Sequence, residues 1–169
     1  FQAEDYIRYS RVTLFHTCAL PILLEIKKQL QESVHKTEHY LIALADKAYL
    51  TIAQKNISVT DFSYGESGFF GYFKKIKNKV FGNEELKSVR VDAAIKEDKW
   101  YPAKADNADI DSVKETLRAI YFSAEAFREK NISQYFLHKL VLKNITALCV
   151  LNEVQELVLK YKEEKNIVF

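Results

Sequence analysis

Two imidazoles one helical turn apart, with a carboxylate between them, carry the most pointed chemistry in this sequence. The run "HKTEH" places His35, Glu38 and His39 in the order H-x-x-E-H. Imidazoles at that spacing can share a zinc ion, and the intervening carboxylate can serve as a general base on metal-bound water. The apolar seam of the surrounding helix argues against such use. With Val34 on the seam, a rotation of about 100° per residue puts His35 near 100° and His39 near 140° from it. Both face a flank where water competes for a metal, and the sequence offers no third ligand. The expectation is a solvated flank without a metal. A second pair, Arg11 and His16 in "RVTLFH", sets a guanidinium and an imidazole five residues apart.

A third constellation is compositional. The segment "DFSYGESGFFGYFKKIKNKVFG", 61–82, holds all four glycines and seven of the chain's aromatic residues. Read as a helix from Phe69 to Phe81, it puts Phe69, Phe73, Ile76 and Val80 on one face. Lys74, Lys75, Lys77 and Lys79 fill much of the rest. An aromatic face with a lysine-rich back suits a partner-protein groove, an anionic lipid surface or a nucleic-acid backbone with stacked bases. Phe69, Phe70, Tyr72 and Phe73, with those four lysines, are therefore the candidate binding residues. The competing reading makes the helix a core element and its lysines a solvated face. Gly65, Gly68 and Gly71 would each weaken a helix start by about 1 kcal/mol relative to alanine. This predicts a loop or hinge before the helix, with Gly82 as its stop.

Two of these motifs resemble known families. H-x-x-E-H matches the pattern of inverted zinc proteases, but the long mixed α/β domain of that family has no counterpart here. Arg11 and His16, as R-x-x-x-x-H, resemble the catalytic motif of HEPN-type ribonucleases, small helical bundles that often pair these residues across a dimer. The resemblance covers six residues and implies that His16 moves a proton at the RNA 2′-hydroxyl while Arg11 stabilises phosphate charge. Val12 departs from the polar residue common after that arginine. The same region, "VTLFHTCALPI", agrees at eight of eleven positions with "VTGVQTCALPI", the translation of a sequencing-library adapter, and departs at Leu14, Phe15 and His16. On that reading residues 1–22 are not native. The opening Phe1 and the lack of methionine fit a fragment or a processed form.

The elements that must position these residues follow from periodicity. A chain of 169 residues with 48% hydrophobic and 28% charged content suits one globular domain. A net charge of +2 gives no global pull towards nucleic acid or membrane. Cys18 and Cys149 are expected to be reduced, buried thiols. The apolar stretch Val12–Leu24 is too short to cross a bilayer. No small-residue cleavage site follows it, so the expected location is cytoplasmic.

From Leu23 to Asn56 apolar positions recur at steps of three and four, which predicts one long amphipathic helix or two with a soft joint near Ser33. Pro21 is expected to kink any helix arriving from upstream. Alternation at Val89, Val91 and Ala93 predicts a short strand, and Ser112 with Glu115 fits a capping box. The next helix carries Val113, Leu117, Ile120, Ala124 and Phe127 as its seam. "EKNIS" is read as a tight connection into a last helix, about 133–162, whose apolar centre "LVLKNITALCVL" is placed in the core.

The expected fold is therefore all-α: a single-domain bundle, 1–169, of three to four long antiparallel helices with an irregular Gly/aromatic-rich insertion at about 57–109. The expected function is non-enzymatic binding through 64–81, without cofactor, to a protein partner. An anionic membrane or nucleic acid through the 74–79 lysines is the alternative contact, and an oligomer is compatible with it. The rival function is a HEPN-like, metal-independent ribonuclease using Arg11 and His16.

Overall fold

In the computed structural model the described residues are 2–86, 88–102 and 108–165, with side chains described from Pro21 onwards except at 108, 146 and 163. The chain is all-α, and the described residues contain no strand. Two very long helices, α1 (Gln2–Ala53) and α5 (Ala108–Glu164), bracket three short ones: α2 (Phe69–Lys77), α3 (Asn83–Leu86) and α4 (Val89–Lys96). Single 3₁₀ turns lie at Val59–Asp61 and Gly65–Ser67. No helix among the described residues is long and apolar enough to cross a membrane.

The chain forms two compact units. One is contiguous, His35–Gln134. The other combines Phe1–Val34 with Tyr135–Phe169.

The contiguous unit has an aromatic core. α1 supplies Leu41, Ala45, Ala48 and Ile52, and α5 supplies Ile110, Val113, Leu117, Ile120 and Ala124, all buried. Small residues on α1 leave room for rings. α2 fills it: Phe69, Phe70, Tyr72, Phe73 and Ile76 are each at most 2% exposed. Phe70 lies 5.2 Å from Tyr49 and 5.0 Å from Phe62, and Phe69 lies 4.7 Å from Trp100. Tyr72 lies 4.8 Å from Tyr121. Most of these contacts are tilted or edge-on, the arrangement the ring quadrupole prefers. Each buried ring contributes roughly 1.5–3 kcal/mol over exposure. The segment expected as an irregular insertion, about 57–109, thus contains three short helices, and its described residues supply the rings at the centre of this core.

Several local expectations change for physical reasons. Val89–Lys96 is helical, and the strand reading fails because the buried pair is Val91 and Ala94, at i and i+3, while Val89 is 85% exposed. α5 runs unbroken through Glu129–Ser133, where a connection was expected, because no Gly or Pro interrupts 108–164. Asn131 instead donates its side-chain amide to the Phe127 carbonyl one turn back, at 2.7 Å. α5 begins four residues before Ser112, whose hydroxyl donates to the Asp109 carbonyl rather than capping. α1 continues through Pro21. Where three or four long helices were expected, the described residues form two long and three short.

The end of α2 also differs. It stops at Lys77, not at Gly82, in a Schellman arrangement: Val80 N–H donates to the Lys75 carbonyl and Lys79 N–H to the Ile76 carbonyl, each at 2.9 Å. Lys79 occupies the left-handed position, φ 59°, that glycine usually takes.

The second unit is thinner. Tyr135, Ile145 and Cys149 are buried on α5, and His138 Nδ1 lies 3.0 Å from Ser33 Oγ of α1. Cys149 is a free thiol, and the Cys18 side chain lies outside the described residues. The apolar centre of the last helix is not enclosed: Leu140, Val141, Leu148, Val150 and Leu151 are all exposed. A helix apolar on all sides needs neighbours on all sides, and α1 covers one.

Gly68 answers the glycine clustering. A Cβ there would overlap the Ser63 carbonyl oxygen, a backbone atom with nowhere to go. At Gly82 a Cβ would meet only the tip of the Glu85 side chain, which can swing away. Gly68→Ala is expected to destabilise by about 1–3 kcal/mol, lowering Tm by several degrees, while Gly82→Ala leaves it within about 1 °C. Thermal melts followed by circular dichroism check the pair, and equal Tm values would refute the steric account.

Candidate functional site

Along α2, where it meets α4, a cleft of about 450 Å³ opens to solvent. Its walls come from three sources. The 3₁₀ turn gives Glu66 and Ser67, α2 gives Lys74 and Lys75, and α4 with its entry gives Ser88 and Arg90. Gly68 and Gly71 leave bare backbone on one side.

The cations of this region differ in how they are compensated. Lys74 pairs with Glu66, which lowers the Glu66 pKa and raises that of Lys74 through their hydrogen bond. Lys77 pairs with Asp46 at 2.7 Å and lies 5.0 Å from the Tyr49 ring centre. Lys79 pairs with Glu38 at 2.6 Å. Lys75 instead donates to the Glu85 backbone carbonyl at 2.5 Å, and Arg90 donates to the Ser67 hydroxyl at 2.7 Å with its guanidinium 5.1 Å from the Tyr64 ring centre. Neither Lys75 nor Arg90 enters an ion pair among the described residues. The cleft therefore holds two cations whose partners are neutral.

Beneath it, sharing Tyr72, Leu86, Ser88 and Val91, is a polar cavity of about 60 Å³, room for one or two waters. Arg128 and Glu125 of α5 form its far side. The Arg128 guanidinium grips Glu125 through Nε (2.9 Å) and Nη2 (2.6 Å) and donates through Nη1 to the Asn83 side-chain oxygen. Tyr72 donates its hydroxyl to Glu125 Oε1 at 2.5 Å. Burial, reinforced by that hydrogen bond to a carboxylate, pushes the Tyr72 hydroxyl far up; burial also pushes Tyr121 up to about 12. The network ties α2, α3 and α5 together by satisfied polar contacts.

The candidate residues read from the sequence fall into separate places. Phe69, Phe70, Tyr72 and Phe73 lie in the core rather than on a contact surface, because small residues on α1 make room for their rings. Lys74 and Lys75 line the cleft; Lys77 and Lys79 are engaged with α1. His35 and His39 are exposed, with ring centres 6.1 Å apart, and Glu38 between them is buried and turned to Lys79. Among the described residues no group of three or more His, Cys, Asp or Glu could hold a metal. The Arg11 and His16 side chains lie outside the described residues.

Sequence reasoning missed Arg90, Ser67, Ser88, Glu125 and Arg128. One signal was present: Arg128 sits one turn beyond Ala124 on the α5 seam, where a charge must find a buried partner. Arg90 carried no such mark, since its place depends on reading 89–96 as a helix. Compared with known proteins, the chain matches no protein-family model, no characterised protein and no solved structure.

The two raised tyrosines set an alkaline limit. A group whose folded pKa is raised contributes stability that is complete below its unfolded value, about 10 for tyrosine, and is lost as pH rises through the folded value. Between about pH 10 and about pH 12 the wild type should lose stability faster than Tyr72→Phe, after subtraction of each protein's value at neutral pH. Urea unfolding along that pH series measures the difference. Parallel curves would show that Tyr72 is not held protonated by its surroundings.

Proposed function

We propose that the chain is a non-enzymatic binding module that grips an acidic segment of a partner protein in the cleft between α2 and α4. The observation that carries this reading is the pair Lys75 and Arg90. Both line the cleft, and both are hydrogen-bonded only to neutral acceptors among the described residues. A carboxylate entering the cleft would exchange those acceptors for charged ones, and hydrogen bonds between ions are about twice as strong as neutral ones. Arg90 offers a planar fork that suits a carboxylate, and Ser67, Ser88 and Asn78 add hydroxyl and amide groups. A volume of about 450 Å³ lies within the usual range for ligand clefts.

A protein segment fits better than a nucleic acid for two reasons. The phenylalanine rings of α2 that would stack bases are in the core. Two uncompensated cations are also few for following a phosphate backbone, where affinity grows with each phosphate neutralised. Burial of the aromatic face further means that the lysines sit on a fixed helix, so little backbone freedom is left to lose on binding.

A fluorescein-labelled oligo-glutamate peptide serves as the probe. Its anisotropy should rise on titration at low ionic strength and fall as salt is added. Lys75→Glu with Arg90→Glu should weaken binding by about tenfold or more. Lys47→Glu with Lys55→Glu, two charge reversals at exposed residues outside the cleft lining, should leave it unchanged. Absence of binding by the wild type, or equal weakening by both variants, would overturn the proposal.

A further inference from the structure

The half of α5 in the second unit carries two apolar stripes, and α1 covers one of them. The covered stripe runs through Tyr135, His138, Leu142, Ile145 and Cys149, at alternating steps of three and four, and these residues are buried or half-buried. Two positions earlier on the helix runs a second series at the same spacing: 136, 140, 143, 147, 150, 154, 157 and 161. An offset of two residues is about 200° of rotation, so this series looks away from α1. Its large apolar members, Phe136, Leu140, Val150, Val154, Leu157 and Tyr161, are 47–66% exposed. Leu137, Val141, Leu148, Leu151 and Val158 widen it on one side, at 37–59%.

Eleven such side chains at about half exposure leave on the order of 800–1,000 Å² of contiguous apolar surface, against a few hundred Å² for the largest patch on an ordinary monomer. The same figure is close to the ~800 Å² that each partner contributes to a standard stable interface. The alternation of fours and threes is the seam of helix pairing, where side chains interlock between two helices. A binding partner with an unrelated helix would need only an apolar surface. This series has a further property.

We infer that the bare stripe is covered by the same stripe of a second copy, in antiparallel orientation, so that two helical hairpins close into a four-helix bundle. The series is self-complementary about its own midpoint, between Leu148 and Cys149. Antiparallel pairing there sets Phe136 opposite Tyr161, Leu140 opposite Leu157 and Ala147 opposite Val150. The ends are bulky and the centre is small, as close helix approach at a two-fold axis requires. The one polar member, Lys143, falls opposite Val154 and beside Glu153 of the second copy. The charge that interrupts the stripe therefore meets an opposite charge across the axis, twice over. A lipid surface or an unrelated helix gives no reason for that placement.

Sedimentation equilibrium on the full chain, over a wide concentration range, tests the inference. The wild type should dimerise, and Val150→Glu and Leu157→Glu, both at exposed positions, should each be monomeric with unchanged far-UV circular dichroism. Lys143→Glu should weaken the dimer about tenfold or more, and adding Glu153→Lys should restore it. That rescue separates antiparallel self-pairing from generic adhesion, and it does not depend on the oligo-glutamate cleft. A wild type that stays monomeric at all concentrations, including one that instead sediments with neutral phosphatidylcholine vesicles, would overturn the inference. So would a dimer indifferent to Val150→Glu, or a Lys143→Glu defect that Glu153→Lys leaves in place.

Discussion

The packing of α2's rings is the constraint on which the contiguous unit depends. Phe69, Phe70 and Phe73 are fully enclosed, with Tyr49, Phe62, Trp100 and Tyr121 around the cluster. The short helix that carries them is nine residues long, below the length at which helices hold themselves together in water. Its order comes from burial. Everything on its outward side inherits that order: the cleft wall of Lys74 and Lys75, the pair between Lys77 and Asp46, and the turn in which Lys79 reaches Glu38.

That dependence explains how an exposed site can be firm without being large. Surface ion pairs contribute little to stability individually. In this unit they fasten loops to elements that the core has already fixed. The polar network of Tyr72, Glu125 and Arg128, with Asn83 at its exposed edge, works differently, because the first three are largely removed from water and each needs the others. It lies directly under the cleft and joins α2 to α5. The cleft floor is thus held by hydrogen bonds and its wall by rings.

What the sequence made legible follows the strength of periodicity. The all-α class and the apolar face of Phe69, Phe73 and Ile76 came directly from steps of three and four. The role of Gly68 did not, since it arises from a close approach of the Ser63 carbonyl that no local pattern encodes. Val89, Val91 and Ala93 alternated by accident, and only the burial of Val91 and Ala94 reveals the true period. Asn131 and Ser133 were read as a break, although both are merely weak helix formers and lie between residues that pack well. The core assignment of 140–151 failed in the opposite sense. Apolar character on every side specifies how many neighbours a helix needs, and it does not say whether one chain supplies them.

The division of the chain also orders its folding in time. One unit is a continuous run from His35 to Gln134, whereas the other is assembled from two segments separated by that entire run. The contact between Ser33 and His138 spans 105 residues. Closing so long a loop in an unfolded chain costs entropy that grows with the logarithm of its length. Once the intervening residues have collapsed around their rings, most of that loop is already compact. The discontinuous unit is then the late-forming one, and the apolar stripe it carries is the last large hydrophobic surface to be organised.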